Sequence, residues 1–220
     1  SLKVKYFLGW FNLYLSTHGS VSIFFFPKFS HPDPTVKRRS GLLAPSLSNS
    51  TTVGSGFEMP YFWNIAKDKD LTLTPKFYFN ENPLLLAEYR QDFFNSFLIV
   101  DTGYTQGYKK KSLKKTDGGR SHFFSNFNTI FINEKEKKSS LEINVEKVSN
   151  DTYLKIYDVK SSLADKEKTI LENRINFTYQ NKDFYLGITP SVHEDTRSAG
   201  NLRHEYLLPL TVEKNIMFSE

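Results

Sequence analysis

Lys37, Arg38 and Arg39 are consecutive cations, followed directly by Ser40 and Gly41. Guanidinium groups match phosphate oxygens bidentately, so this trio suits a phosphorylated ligand; a solvated basic turn reads the same way. Ser40–Gly41 permits a sharp bend between two units, approached through the φ-restricted Pro32 and Pro34, and an ordinary linker turn is compatible with the same residues. A second cationic run, Lys109, Lys110, Lys111, Lys114 and Lys115, precedes Asp117-Gly118-Gly119-Arg120. It fits contact with anionic head groups or a solvated loop; no nucleic-acid module accompanies it, so no nucleic-acid partner is expected.

Chemistry of bond-making kinds finds little support. His18, His31, His122, His193 and His204 are scattered, without the i, i+4 pairing of a zinc helix, and His193-Glu194-Asp195 reads as loop. There is no Gly-x-Ser-x-Gly elbow and no glycine-rich phosphate cradle. With no cysteine, this stretch offers no disulfide, thiolate metal site or thiol nucleophile. No catalytic residue, metal or cofactor is expected, and the protein is not expected to be an enzyme.

Pro45 and Pro60 fall inside segments that otherwise read as strands. Proline gives no N–H to a ladder, so each weakens strand pairing locally or simply ends its strand. Tyr61, Phe62 and Trp63 close the second of these strands beside a short turn, where an aromatic girdle at a membrane interface would lie; aromatics of a sandwich core read alike.

The elements that must position these residues are strands. The chain has 220 residues, 39% apolar and 24% charged, with net charge +5 and 20 Phe, 12 Tyr and 2 Trp, enough apolar content to fold one domain or part of a larger one. The longest apolar-rich stretch, 6–15, is half of the about 20 residues a membrane helix needs. Lys3 and Lys5 ahead of it make a poor secretory signal. Apolar and aromatic stretches recur instead at 21–29, 42–49, 56–64, 70–79, 84–93, 96–106, 121–132, 141–148, 169–180, 184–190 and 205–213, the pattern of an all-β chain. In 169–180, Leu171, Ile175, Phe177 and Tyr179 share one face with Asn173, opposite Glu172, Arg174, Asn176 and Thr178. From residue 84 onward short and long connections alternate, the long ones being 108–120, 149–168 and 191–204. An antiparallel membrane barrel has this parity, with brief turns on one side and long loops on the other; a Greek-key sandwich does not require it.

One stretch is more specific. Residues 27–45 read Pro-Lys-Phe-Ser-His-Pro-Asp-Pro-Thr-Val-Lys-Arg-Arg-Ser-Gly-Leu-Leu-Ala-Pro, followed by Pro-Tyr-Phe-Trp-Asn-Ile-Ala at 60–66, Asp-Leu-Thr-Leu-Thr-Pro at 70–75 and Glu88-Tyr89-Arg90. In order and spacing they resemble the LptD family of outer-membrane lipopolysaccharide-assembly proteins of Gram-negative bacteria. Weaker echoes at 148–154 and 205–209 extend the likeness over about 21–218, while residues 1–20 match poorly.

The resemblance implies an internal fragment. Residues 1–36 would end a periplasmic β-jellyroll, 37–41 form the junction, and 42–220 supply the N-terminal part, about ten strands, of an antiparallel transmembrane β-barrel in the cell outer membrane. It implies a translocon that inserts lipopolysaccharide into the outer leaflet through a lateral seam loosened by Pro45 and Pro60. Implied partners are lipopolysaccharide, a plug lipoprotein like LptE, a periplasmic bridge like LptA reached through the jellyroll, and the barrel-assembly machinery. The rival readings are a porin-like channel, in which the prolines are incidental, and a soluble β-sandwich carbohydrate-binding module.

Overall fold

The computed structural model describes residues 38–109 and 117–214, and these form strand after antiparallel strand. In chain order they are β1 (Gly41–Leu42), β2 (Ser46–Ser50), β3 (Gly54–Glu58), β4 (Tyr61–Ala66), β5 (Lys69–Tyr78), β6 (Leu84–Asp92), β7 (Ser96–Thr105), β8 (Arg120–Asn133) and β9 (Lys138–Val148). A single helical turn, α1 (Tyr153–Ile156), precedes β10 (Ile170–Gln180), β11 (Phe184–Ile188), β12 (Ser191–Asp195), β13 (His204–Leu207) and β14 (Leu210–Lys214). The strand expected at 21–29, the end of the jellyroll and Lys37 lie outside the described residues.

All the strands join one sheet, whose main path runs β1-β4-β5-β6-β7-β8-β9-β10-β11-β14. The meander is the cheapest topology for strands joined by short turns, because each strand pairs with its neighbour in sequence. β5 is long enough to carry two partners end to end, β4 along Lys69–Leu73 and β3 along Lys76–Tyr78. At the other end of the sheet β10 does the same, with β12 along Ile170–Arg174 and β11 along Phe177–Gln180.

This corrects two expectations. The segment 184–190 does not end at Pro190, and His193-Glu194-Asp195 is not loop: β12 resumes at Ser191 and stays paired with β10. Proline removes one donor from the ladder but does not stop the residues after it from pairing, so Pro190 interrupts the strand. The connection to β13 is correspondingly shorter than the expected 191–204.

Register sorts side chains cleanly onto two faces, since residues directly opposite in an antiparallel pair share a face. Trp63, Leu71, Tyr89, Val100, Ser125 and Val145 form one cross-sheet row, and Tyr61, Leu73, Ala87, Thr102 and Phe123 the next row of that face. The opposite face carries the row Asn64, Asp70, Arg90, Ile99, Asn126, Asn144, Arg174. The first face is apolar and exposed, with Trp63 at 48%, Leu85 at 51% and Ile175 at 46%, which a water-facing sheet would not sustain without a partner.

The polar face has its own apolar core at one end. Residues 149–169 fold back over the sheet, and Tyr153, Leu154, Tyr157, Val159 and Ala164 bury themselves against Tyr78, Leu84, Leu86, Phe124, Val148 and Leu171. Burying each large apolar side chain stabilises by about 1.5–3 kcal/mol, enough to hold the segment down. Leu171 is drawn into this cluster, so the face expected for 169–180 does not run unbroken from Leu171. The cause is Asn173, whose side chain replaces ladder bonds to β9 by accepting from the Glu146 N–H at 3.0 Å and donating to the Glu146 carbonyl at 3.2 Å.

Candidate functional site: a proline-broken edge on a two-faced sheet

Pro45 lies in the gap between β1 and β2, and Pro60 in the gap between β3 and β4. β1 pairs with β4 and β2 with β3, so the gaps lie side by side and the two outermost strands are interrupted at the same height. Only single hydrogen bonds bridge the level: the Leu43 N–H donates to the Pro60 carbonyl at 2.8 Å, and the Met59 N–H to the Pro75 carbonyl at 3.2 Å. Each missing ladder bond removes about 0.5–1.5 kcal/mol of net stabilisation. β1 contributes just two registered pairs, Gly41 with Phe62 and Leu42 with Tyr61.

A matching break stands at the far end of the sheet. Pro190 separates β11 from β12 and Pro209 separates β13 from β14, and the Ile175 N–H donates to the Pro190 carbonyl and the Thr189 N–H to the Pro209 carbonyl, both at 3.0 Å. Nothing in the sequence pairs these two prolines, because Pro190 reads there as a strand end.

In the segment expected to form the junction, Arg38 is engaged: its guanidinium donates to Asp70 at 3.0 Å, and Asp70 also accepts from Arg90 at 2.8 Å. Ser40 accepts from the Asn64 N–H at 2.9 Å. Gly41 lies in β1 with open space where a Cβ would stand, and Arg39 is exposed. Tyr61 and Trp63 project onto the apolar face, 39% and 48% exposed, while Phe62, between them in sequence, takes the opposite face across from Thr72. The three aromatics therefore do not form one girdle. Lys110, Lys111, Lys114 and Lys115 lie outside the described residues.

Elsewhere the polar face is a field of ion pairs. Lys76 meets Glu58 at 3.1 Å, Lys168 meets Glu146 at 2.5 Å, and Arg174 lies 3.1 Å from both Glu142 and Glu172. His193 lies 3.7 Å from Glu172. Such a face can be wetted but cannot be set against hydrocarbon.

Beneath the folded-back segment is a buried polar chain that the sequence did not reveal. Tyr153 Oη lies 3.2 Å from His122 Nδ1, His122 Nε2 lies 3.3 Å from Asp101, and the Ser161 hydroxyl donates to the other Asp101 oxygen. Burial pushes the Tyr153 phenol well above its ordinary value, so it stays protonated and shares a hydrogen bond with His122 Nδ1. Ser161 bonds Asp101 and not the imidazole, so the cluster fastens a loop; it does not set a hydroxyl against a base in the manner of a nucleophile. Among the described residues no group of His, Asp and Glu is arranged to hold a metal, and no helix is long and apolar enough to cross a membrane.

An antiparallel meander with one exposed apolar face and one ion-paired polar face belongs to the all-β class, with the sidedness that a membrane-barrel wall requires. No profile of a known protein family matches the chain. Its sequence is nevertheless 27% identical over 180 residues, 82% of the chain, to the LPS-assembly protein LptD of Nitrosococcus oceani, and 28% identical over 169 residues, 76% of the chain, to that of Pseudoalteromonas translucida. A shorter stretch of 59 residues, 27% of the chain, is 44% identical to LptD of Coxiella burnetii. The chain is thus similar, over most of its length, to a stretch of these LPS-assembly proteins. It spans 23%, 21% and 7% of the lengths of those three relatives.

Proposed function

We propose that this stretch is part of the wall of a lipopolysaccharide translocon in a Gram-negative outer membrane. Residues up to 36 end a periplasmic jellyroll, 37–41 form the junction, and 42–220 begin the barrel. The apolar face meets lipid, the polar face lines a wet passage for sugar, and the acyl chains leave sideways where Pro45 and Pro60 weaken the first strands. Lys37, Arg38 and Arg39 contact phosphates near the junction, Arg38 through the N–H groups that Asp70 leaves unused, and Ser40–Gly41 set the bend. A plug lipoprotein like LptE, a periplasmic bridge like LptA and the barrel-assembly machinery are the partners of this reading. It needs transfer between compartments and no change of covalent bonds.

The observation that carries the reading is the side-by-side interruption at Pro45 and Pro60 in the edge of a sheet with a lipid-compatible face, joined to the likeness to lipopolysaccharide-assembly proteins. Photoreactive side chains introduced into the full-length protein at Leu43 and Met59 should capture lipopolysaccharide in growing cells, whereas the same groups at Thr189 and Leu208, beside the second break, should not. Equal capture at both breaks, or none at the first, defeats the seam.

A further inference from the structure

We infer that Asp70 and Asn64 form a clamp that fastens residues 38–40 to the sheet and so fixes the direction from which the preceding chain arrives. Asp70 is 2% exposed, on the polar face at the end of β5 next to the two-residue turn that joins it to β4. A buried carboxylate needs a cation, and Arg90, one strand over in direct register, supplies it at 2.8 Å. Arg38 is therefore a second guanidinium on a charge already matched. Its side chain is 62% exposed and it comes from 32 residues away in sequence.

An exposed ion pair alone would contribute little. Here it is one of three contacts that converge on Arg38 and Ser40. The Asn64 side-chain amide donates to the Arg38 carbonyl at 2.9 Å, and the Asn64 backbone N–H donates to Ser40 Oγ at 2.9 Å. Asn64 and Asp70 face each other across the β4–β5 ladder, so a single rigid cross-strand pair grips the backbone, the hydroxyl and the guanidinium of the junction segment. Glu88 lies 3.7 Å from Arg90 and is itself held by Ser162.

The clamp rests on the reading of 37–41 as a junction only for its meaning; its existence can be tested without any lipid. In the full-length protein purified in detergent, Asp70→Asn and, separately, Asn64→Ala leave every trypsin site unchanged, so cleavage after Arg39 reports release of the segment. Because proteolysis follows the population of the opened state, loss of one of these contacts should raise the initial cleavage rate about three- to tenfold. A rise of about threefold or more in both variants, with the heat-modifiable mobility of a folded barrel retained, supports the clamp; a smaller change overturns it. Asn64→Ala keeps the test open if Asp70→Asn does not fold, since it leaves the buried charge paired. Failure of the translocon reading would appear separately, as absent lipopolysaccharide capture with the clamp intact.

Discussion

Tyr153 reaches across the polar face to place its hydroxyl 3.2 Å from Nδ1 of His122, and both side chains are sealed from solvent. The contact exists because Gly103 lies between them: a Cβ there would stand 2.7 Å from Tyr153 Oη, 2.8 Å from His122 Cε1 and 2.6 Å from a Leu86 methyl. Removing the hydroxyl in Tyr153→Phe leaves a buried imidazole nitrogen unpaired, at a cost of about 1–3 kcal/mol. Gly103→Ala overpacks the same spot, at a similar cost of about 1–3 kcal/mol. In either variant, amide hydrogen exchange across 149–169 should accelerate while β5 through β8 keep their protection. Unchanged exchange in both would show that the buried polar chain does not fasten the segment.

Replacing Pro45 and Pro60 together with threonine gives the ladder two donors at adjacent positions. By about 0.5–1.5 kcal/mol for each bond formed, opening at that level should become up to roughly a hundredfold rarer. In cells that depend on the full-length protein, surface lipopolysaccharide should fall. The pair Pro190→Thr with Pro209→Thr repairs the second break and should leave export unaltered. Equal loss from both double variants would mean that the prolines serve the shape of the wall and not a seam.

How much of this was legible in the sequence follows from which physical signals are local. The strands from β5 to β10 were readable because alternation and short turns are local patterns, and Pro45 and Pro60 stood out because proline's missing donor is a property of the residue itself. Asp70 was invisible as a clamp residue, since its partners Arg38 and Arg90 reach it only through register. The second break is not legible in the sequence because Pro190 reads as the end of a strand, yet β10 is long enough to template pairing on both sides of it. The folded-back core left a faint trace: Leu84, Leu86 and Phe124 place apolar side chains on the otherwise polar face, which a fully wetted surface does not explain.

The loops at that end are also tied by charge. Arg203 donates to Asp151 at 2.7 and 3.1 Å and to Glu194 at 2.6 Å, linking 149–169 to the 196–203 connection. The bond to Arg203 holds the Asp151 carboxyl below its ordinary value. A depressed carboxylate stabilises above its unfolded pKa and loses that contribution as pH falls through the folded one, so the tie is complete at neutral pH and weakens as pH falls below the ordinary carboxylate value. This stretch has no cysteine, so spin labels on cysteines introduced at the exposed Lys155 and Leu202 can report the distance. It should stay constant from pH 7 to about pH 5 and broaden as the pH falls below the ordinary carboxylate value, while Arg203→Gln should show the broadened distribution already at pH 7. Broadening between pH 7 and 5 would assign the tie to another group.

Gly56 makes a prediction of opposite sign to the prolines. It lies in β3 opposite Tyr78, and a Cβ there would come within 2.5 Å of the Phe77 carbonyl oxygen. That oxygen is main chain and cannot swing aside, so Gly56→Ala must push β3 off β5 on the far side of the Pro60 break. The first strands would then be held to the sheet mainly through β4. Loss of the three registered β3–β5 pairs, at about 0.5–1.5 kcal/mol for each hydrogen bond, should loosen the edge beyond what the prolines already do. In the full-length protein this should appear as increased entry of large antibiotics through the outer membrane, with exchange protection lost from 54–58 before 69–73. If the variant is as tight as its parent, the strand beyond Pro60 does not contribute to holding the edge closed, and the weak level must lie wholly between β1 and β4.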